Sequence, residues 1–253
     1  MKHLGLSLAL AIAFAASFCA KAQTNIQALY DFGSDRQHLT LTVEGYYADK
    51  WGDTFFFIDH DLNYVSNKAL TYSPGGSYLE IARNLNFWQD YAIAPLSLHV
   101  EYNGGLTNNM SFQNAFLTGV DYSVFPAGKK MSLHLLALYK YIDYSDGKSS
   151  SKVPMQFTAT WGFYDLFGVK GLEFSGFADF WWEDQQLLYD YFGEMLPEKG
   201  STVFVSEPQI WYNLGRFFSC DNLKIGGEVE LSYNFGAKKG FWCRPAAGLK
   251  WVF

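Results

Sequence analysis

Beyond its first 22 residues, the 253-residue chain has no long apolar run. No segment there approaches the roughly 18 uncharged apolar residues that a membrane-spanning helix needs. Backbone N–H and C=O groups in lipid must be satisfied within the protein, which only helices and closed barrels achieve. Any membrane span in this part of the chain must therefore be made of strands.

Cysteine and histidine are also scarce. Cys220 and Cys243 follow the first 22 residues, and no histidine stands at metal-ligand spacing from either, so no zinc site is predicted. An exported protein could oxidise the pair to a disulfide, but the strand order predicted below places the two cysteines at opposite ends of the molecule, and we expect no bridge. No metal and no cofactor is implied, and the net charge of −6 argues against a nucleic acid polymer as a partner.

The first 22 residues have the layout of a signal peptide. Met1, Lys2 and His3 precede an apolar run over residues 4–20, and a small-x-small cleavage site follows at residues 20–22. We therefore expect residues 1–22 to be removed on export and residues 23–253 to form one mature domain.

Many aromatic residues are combined with little net hydrophobicity. The sequence is 19% aromatic and contains 23 glycines, yet its mean hydropathy is −0.07. Strands with one apolar and one polar face produce this combination. With a period of two, the mature chain divides into twelve segments bounded by turn residues, which are 25–32, 37–47, 53–64, 77–87, 93–104, 112–125, 130–143, 152–164, 170–184, 201–214, 223–235 and 241–253.

The eleventh segment shows the alternation most clearly. Ile225 and Leu231 share one face, while Lys224 and Glu230 share the other. A soluble β-sandwich alternates in the same way. The export signal, the C-terminal segment and the aromatic residues near segment ends favour a transmembrane antiparallel β-barrel of about 12 strands. Those aromatic residues are typical of interfacial girdles; they are Trp51, Trp88, Tyr91, Tyr141, Trp181, Trp182 and Tyr212.

The C-terminal segment resembles the assembly signal of outer-membrane barrels. Gly248, Trp251 and Phe253 match that signal, while Ala246 departs from its polar position. We therefore expect a monomeric barrel in the outer membrane of a Gram-negative bacterium, inserted by the barrel assembly machinery. Leu249 shares the outward face with Trp251 and Phe253, so Arg244 and Lys250 should face the lumen.

With both termini periplasmic, the longer connections face outward. The expected outer loops are 68–76, 145–152 and 184–200, and the expected short inner turns are 48–52, 126–129 and 167–170.

The inward faces should carry many carboxylates and few bases. A charge on the lipid face is costly, so the alignment of these residues on one period is informative. A salt-bridged interior would explain them, and so would a lumen that accepts neutral or cationic solutes and discourages anions. The predicted inward acids are Asp31, Glu44, Asp59, Asp61, Glu80, Glu101, Asp121, Glu173, Asp179, Glu183, Glu207, Glu228 and Glu230, against Lys140, Lys224, Arg244 and Lys250.

The third segment places Phe55 and Phe57 on the same face as Asp59 and Asp61. Aromatic rings stack on flat bases, and carboxylates accept hydrogen bonds from sugar hydroxyls. Alternatively, the phenylalanines simply fill a narrow barrel. The candidate solute-binding residues of the lumen are Phe55, Phe57, Asp59, Asp61, Glu173, Phe177, Asp179, Trp181 and Arg244.

Several stretches resemble the nucleoside-specific outer-membrane channels, the Tsx-like family. They are residues 51–53 before the aromatic run 55–59, the strand 78–81, and residues 171–174 leading to 177–181. The resemblance implies a narrow twelve-stranded barrel with a keyhole-shaped lumen. It also implies aromatic residues that flank nucleoside sites, matched here by Phe55, Phe57, Phe177 and Trp181.

The predicted function is passive, selective diffusion of small polar solutes, most specifically nucleosides, with no enzymatic activity. One alternative is a structural or receptor barrel that binds a partner through its outer loops, above all 184–200. A lipid-modifying enzyme is the third class. It would need a Ser–His pair at the lipid-facing rim, for which His60 and His134 lie in strands, although no Ser stands in a G-x-S-x-G elbow.

Overall fold

A computed structural model describes residues 23–63, 73–107, 114–125, 130–144, 150–188, 195–218 and 221–253. The predicted signal peptide at 1–22 lies outside the described residues. Almost all regular structure is strand, as follows: β1 Gln23–Asp31, β2 Leu39–Asp49, β3 Gly52–Asn63, β4 Ser73–Leu85, β5 Leu96–Thr107, β6 Ala115–Ser123, β7 Met131–Ile142, β8 Met155–Tyr164, β9 Leu172–Leu188, β10 Met195–Ser206, β11 Gln209–Asn213, β12 Leu223–Tyr233 and β13 Phe241–Val252.

The strands form one closed antiparallel sheet. Apart from β10 and β11, each strand pairs with its neighbours along the chain, and β1 pairs with β13. β10 and β11 both pair with β9 and β12, so they are two halves of a single wall strand that is interrupted at Glu207 and Pro208. Proline has no N–H for the ladder, which accounts for the interruption. The wall thus has twelve strands, and the predicted barrel is confirmed.

The two faces of the wall are inverted relative to a soluble protein. Outward side chains such as Ile58, Val100 and Leu135 are exposed apolar groups, whereas inward side chains such as Gln27 and Ser232 are buried polar groups. A soluble domain buries its apolar face, so a sandwich with a polar exterior is excluded. The outward face is therefore suited to lipid.

The barrel has two distinct ends. At the terminal end, the Phe253 N–H donates to the Thr24 carbonyl at 2.9 Å, and the short connection at Lys50 and Trp51 lies at this end as well. The connection between β1 and β2, residues 32–38, lies at the opposite end, called here the loop end. A one-turn helix, α1 (Gly215–Phe218), follows β11. None of the helices among the described residues is long and apolar enough to cross a membrane.

The predicted outer loop 184–200 is wrong in its limits. β9 continues to Leu188 and β10 begins at Met195, with Gly200 opposite Gln185. The alternation continues through Glu183, Gln185 and Leu187, which are all buried inside the barrel, so the hairpin extends the wall. Residues 189–194 of this predicted partner-binding loop lie outside the described residues.

Some of the other predicted connections are confirmed, and others have different limits. The turns 48–52 and 167–170 are confirmed as short connections. The predicted limits of loop 68–76 are wrong because β4 begins at Ser73, and within 145–152 Ser150 already bridges to Asp184. Residues 64–72, 126–129 and 145–149 lie outside the described residues.

Two further expectations concern aromatic and cysteine residues. Trp51, Tyr91 and Tyr141 are exposed near strand ends, as predicted, but Trp181 faces the lumen and is only 6% exposed, so its place in the girdle is wrong. Trp181 lies near the end of the predicted segment 170–184, but its side chain is on the inward face of the strand. Cys243 is a free thiol among the described residues, and Cys220 lies outside them.

Candidate functional site

The strand registers place the predicted inward acids of the strands on the lumen side of the wall, and Glu207 lies at the interruption between β10 and β11. Phe57 pairs with Glu80, Glu80 with Asn103, and Glu230 with Arg244, each pair on the inner face. Arg244 and Lys250 are buried inside, while Leu249, Trp251 and Phe253 are exposed outside, as predicted from the last segment. The lumen is consequently lined by polar and mostly acidic groups.

The nine predicted site residues all face this lumen but do not form one site. Phe55, Phe57, Asp59 and Asp61 belong to β3, and Glu173, Phe177, Asp179 and Trp181 belong to β9 on the far side of the barrel. Arg244 belongs to a separate ion-pair network at the loop end.

The β3 wall combines rings and carboxylates. The ring centroids of Phe55 and Phe57 are 6.2 Å apart, and Phe57 lies 6.0 Å from Tyr78. Asp59 accepts a hydrogen bond from the Thr42 hydroxyl at 2.5 Å, and Asp61 accepts one from Thr40 at 2.8 Å. Both phenylalanine side chains are partly exposed to the lumen, so a solute could reach them.

Trp181 is less available than the sequence suggests. Its ring N–H donates to Glu183 at 2.8 Å, and the Lys140 ammonium lies 3.6 Å from its ring centroid. Phe177 packs against the buried cluster of Trp181, Val203 and Val205. These two aromatic residues therefore stabilise the wall and leave little ring surface for a solute.

A group of acids lies in the middle of the lumen. We call Tyr78, Glu80, Glu101, Asn103 and Asp179 the Glu80 cluster. Glu80 lies within electrostatic range of Glu101, Asp179 and Lys140, and it accepts a hydrogen bond from the Tyr78 hydroxyl at 2.7 Å. Asp179 accepts one from the Thr158 hydroxyl at 2.6 Å. Neither Glu80 nor Asp179 forms an ion pair with a base among the described residues.

Glu101, in contrast, has a partner in His99. The two ring nitrogens of His99 lie 2.7 Å from the Asn84 amide oxygen and 2.9 Å from a Glu101 oxygen. The Asn84 amide nitrogen donates to Asp53 and Asp121, so its oxygen must face His99. Both ring nitrogens then face hydrogen-bond acceptors, which holds the His99 ring between Asn84 and Glu101.

A second acidic group lies nearer the break in the wall. Glu228 lies within electrostatic range of Asp59, Glu44, Lys250 and Arg36. The Lys250 ammonium is placed over the Trp211 ring, 4.3 Å from its centroid, and Lys224 instead pairs with Glu173 at 2.6 Å. The bases of the lumen therefore reduce its negative charge without cancelling it.

The β1–β2 loop, residues 32–38, folds into the barrel at the loop end. Arg36 pairs with Glu230 and, at 3.2 Å, with Asp31. Asp35 pairs with Lys238 and, at 3.0 Å, with Arg244, which also pairs with Glu230. Burial alone would raise the pKa of Asp35, but the hydrogen bonds and charges of Arg244 and Lys238 outweigh it and hold that pKa well below its usual range. The loop narrows this end of the lumen.

Sequence patterns did not identify the loop contacts or Trp211. Gly33, Asp35 and Arg36 stand in an ordinary turn composition, which predicts a solvated connection. Trp211 lies on the inner face and is fully buried. Its alternation within the tenth segment could have placed it there.

A Ser–His pair does occur on the outer surface. His60 Nδ1 and Ser77 Oγ, on neighbouring outward positions of β3 and β4, are 2.6 Å apart. No acid or amide side chain among the described residues hydrogen-bonds the other ring nitrogen of His60. His134 faces the lumen and pairs with Asp121 at 2.9 Å. Within the described part of the chain, no group of three or more His, Cys, Asp or Glu side chains could hold a metal ion.

Several solved structures match this chain. The chain is similar to the NanC porin at 7% identity and a TM-score of 0.52, covering 90% of this chain and 98% of that one. The KdgM porin in complex with disordered oligogalacturonate matches at 8% identity and a TM-score of 0.47, covering 91% of this chain and 99% of that one. Omp33 of Acinetobacter baumannii matches at 10% identity and a TM-score of 0.39, covering 92% and 98%. The likeness to the NanC porin, at 7% identity, concerns the fold alone.

Sequence comparisons add one match. The model of a family described as a domain of unknown function, DUF5020, matches residues 23–253. No curated protein sequence matches the chain.

Proposed function

The chain belongs to the DUF5020 family, and we propose that it is an outer-membrane channel for the passive diffusion of small polar solutes that are neutral or positively charged. The observation that carries this proposal is the acidic lumen. Carboxylates such as Glu80 and Asp179 face it without a basic partner among the described residues. A purely structural interior would be expected to pair its charges, whereas a polar conduit leaves some of them for passing solutes.

The mechanism is equilibrative. A solute enters past the β1–β2 loop and first meets Asp61 and Asp59 on β3. It then passes Phe57, which lies beside Glu80, and reaches Phe55 nearer the terminal end. Each contact must be strong enough to select and weak enough to release. Anions are disfavoured because the lumen carries more carboxylates than bases. The predicted export signal and the assembly signal at Gly248, Trp251 and Phe253 support the outer-membrane location, and a monomer stays our prediction.

Within this class, nucleosides are the specific solute that we propose. The support is the β3 wall, where two rings partly exposed to the lumen stand beside Asp59 and Asp61. A base could stack on a ring while a carboxylate accepts a ribose hydroxyl. Trp181 and Phe177 contribute less, because their rings are already packed.

The test is conductance of the purified barrel in planar bilayers, with and without adenosine. We expect a pore that adenosine blocks, and a block that Phe57→Ala weakens by about tenfold, in line with the stacking of one base on one ring. Phe56→Ala is the matched control, because Phe56 is the outward neighbour. Absence of any pore would refute the channel. A pore that adenosine never blocks, or equal effects of the two variants, would refute the nucleoside site alone.

Lipid hydrolysis is a second candidate, favoured by the His60–Ser77 pair on the outer surface. Such a pair can activate a serine hydroxyl for attack on an ester. Turnover of phospholipid by the detergent-solubilised barrel, abolished by Ser77→Ala and retained in His134→Gln, would establish it. Equal rates in wild type and Ser77→Ala would leave the pair a simple hydrogen bond.

A further inference from the structure

The Glu80 cluster combines unpaired carboxylates with access from the lumen. Glu80 and Asp179 are partly exposed and lie within electrostatic range of each other, and Glu101, which pairs with His99, adds a third carboxylate. Like charges that share a confined interior raise the free energy of the folded protein unless a cation or a proton neutralises them. The cluster therefore carries an excess of negative charge, which a positively charged group would neutralise.

Asn103 gives an independent indication. It is 7% exposed, and its side-chain oxygen has no hydrogen-bond partner. Asn103 is the direct cross-strand partner of Glu80, and both side chains point into the lumen. A buried acceptor without a donor costs free energy, so the site lacks a donor as well as a positive charge.

Lys140 does not supply the missing hydrogen-bond donor and positive charge. Its ammonium donates to the Gln156 side-chain oxygen at 2.6 Å and lies over the Trp181 ring, and it forms no ion pair with a carboxylate among the described residues. It is thereby held against β8 and β9 and leaves Glu80 and Asn103, on β4 and β5, without a cationic donor.

We propose that the Glu80 cluster binds the alkylammonium group of a small organic cation. A primary ammonium has three N–H donors, and Glu80, Asn103 and Asp179 offer three oxygen acceptors from two opposite walls. A divalent metal fits less well, because the described residues form no metal-binding cluster. The site rests on the proposed function in one respect: solutes must enter the lumen. It assigns amines as a substrate class beside neutral solutes such as nucleosides.

Isothermal titration calorimetry of the detergent-solubilised barrel with 1,4-diaminobutane tests this site. Binding is expected for the wild type, weakened at least about tenfold in the double variant Glu80→Gln/Asp179→Asn, because hydrogen bonds to charged groups are lost. Asn103→Leu keeps every charge but removes the free oxygen, and it should weaken binding about threefold. The matched control is Asp121→Asn, which removes a lumen carboxylate already paired with His134.

The outcomes separate a site from general attraction. Retained binding in Asp121→Asn together with the two losses supports the proposal. Equal weakening in Asp121→Asn and in the double variant would show diffuse attraction to the acidic lumen and overturn it, as would no binding to the wild type. Circular dichroism confirms that each variant is folded. Because calorimetry needs no conductance, failure here with an adenosine-blocked pore would leave the channel standing.

Discussion

Gly176, in the middle of β9, illustrates a constraint at the scale of one residue. Its φ is +151°, and a β-carbon there would lie 2.4 Å from the Glu207 carbonyl oxygen. The backbone at the break between β10 and β11 thus lies in close contact with β9 at Gly176. Glycine is needed for both the backbone conformation and the space.

We predict that Gly176→Ala lowers the free energy of unfolding by about 1–3 kcal/mol, measured by guanidinium titration in detergent. Gly168→Ala is the control: its φ is +76°, but nothing lies within 4 Å of a β-carbon there. It should show only the cost of backbone strain. Equal losses in the two variants would mean that the break does not approach β9 closely.

Trp181 shows at the same scale what a pattern can and cannot predict. The period of two in β9 places its side chain inside the barrel, correctly. That Lys140 covers its ring, and that its N–H is used by Glu183, depends on β7 and on the local rotamers. The sequence therefore predicted which side Trp181 faces and overestimated its availability to a solute.

The β1–β2 loop is the element whose role the sequence did not predict. A connection between two strands normally runs over the surface, and nothing in residues 32–38 departs from a turn composition. The acceptors that hold the loop, Asp31 and Glu230, belong to strands at opposite ends of the chain. Closure of the barrel brings them together with Arg36.

Asp35 makes the stability of this loop dependent on pH. Its pKa is lower in the folded protein than its usual value of about 3.9. Its contribution to stability is therefore fully present above that usual value and is lost as pH falls through the lower, folded pKa. We expect Asp35→Asn to reduce the free energy of unfolding by a constant amount between pH 7 and pH 5, and by less below about pH 4.

Chemical denaturation across this pH range provides the measurement. Asp90→Asn makes the same chemical change at an exposed position of the β4–β5 turn and should have little effect at any pH. A loss in Asp35→Asn that is unchanged down to pH 3 would argue against the ion pairs of Asp35 with Arg244 and Lys238.

For the whole molecule, the outward apolar face is the main test of membrane insertion. Val100, in the middle of β5, is 44% exposed, and Val124, just beyond the end of β6, is 37% exposed. In lipid vesicles, Val100→Arg should lower the free energy of unfolding by about 2–4 kcal/mol and Val124→Arg by about 0–1 kcal/mol. The reason is that arginine is costly at the bilayer centre and tolerated near the interface.

Urea-induced unfolding in phospholipid vesicles, followed by tryptophan fluorescence, measures both variants. The two positions have similar exposure, so they form a matched pair that differs in depth. A similar small cost at both would indicate that the outward face of the barrel is not embedded in lipid.

The amino-acid sequence by itself determined the twelve-strand barrel and the face of each strand. These depend on the order of neighbouring residues, because a shift by one position would turn every side chain of a strand to the other face. The tertiary structure decided which charged groups have partners. Arg36 pairs with Glu230 across 194 positions of sequence, and Lys140 lies over the Trp181 ring. Glu80 and Asp179 have no basic partner among the described residues. Partners so far apart in sequence leave no periodic signal, since they meet only when the barrel closes.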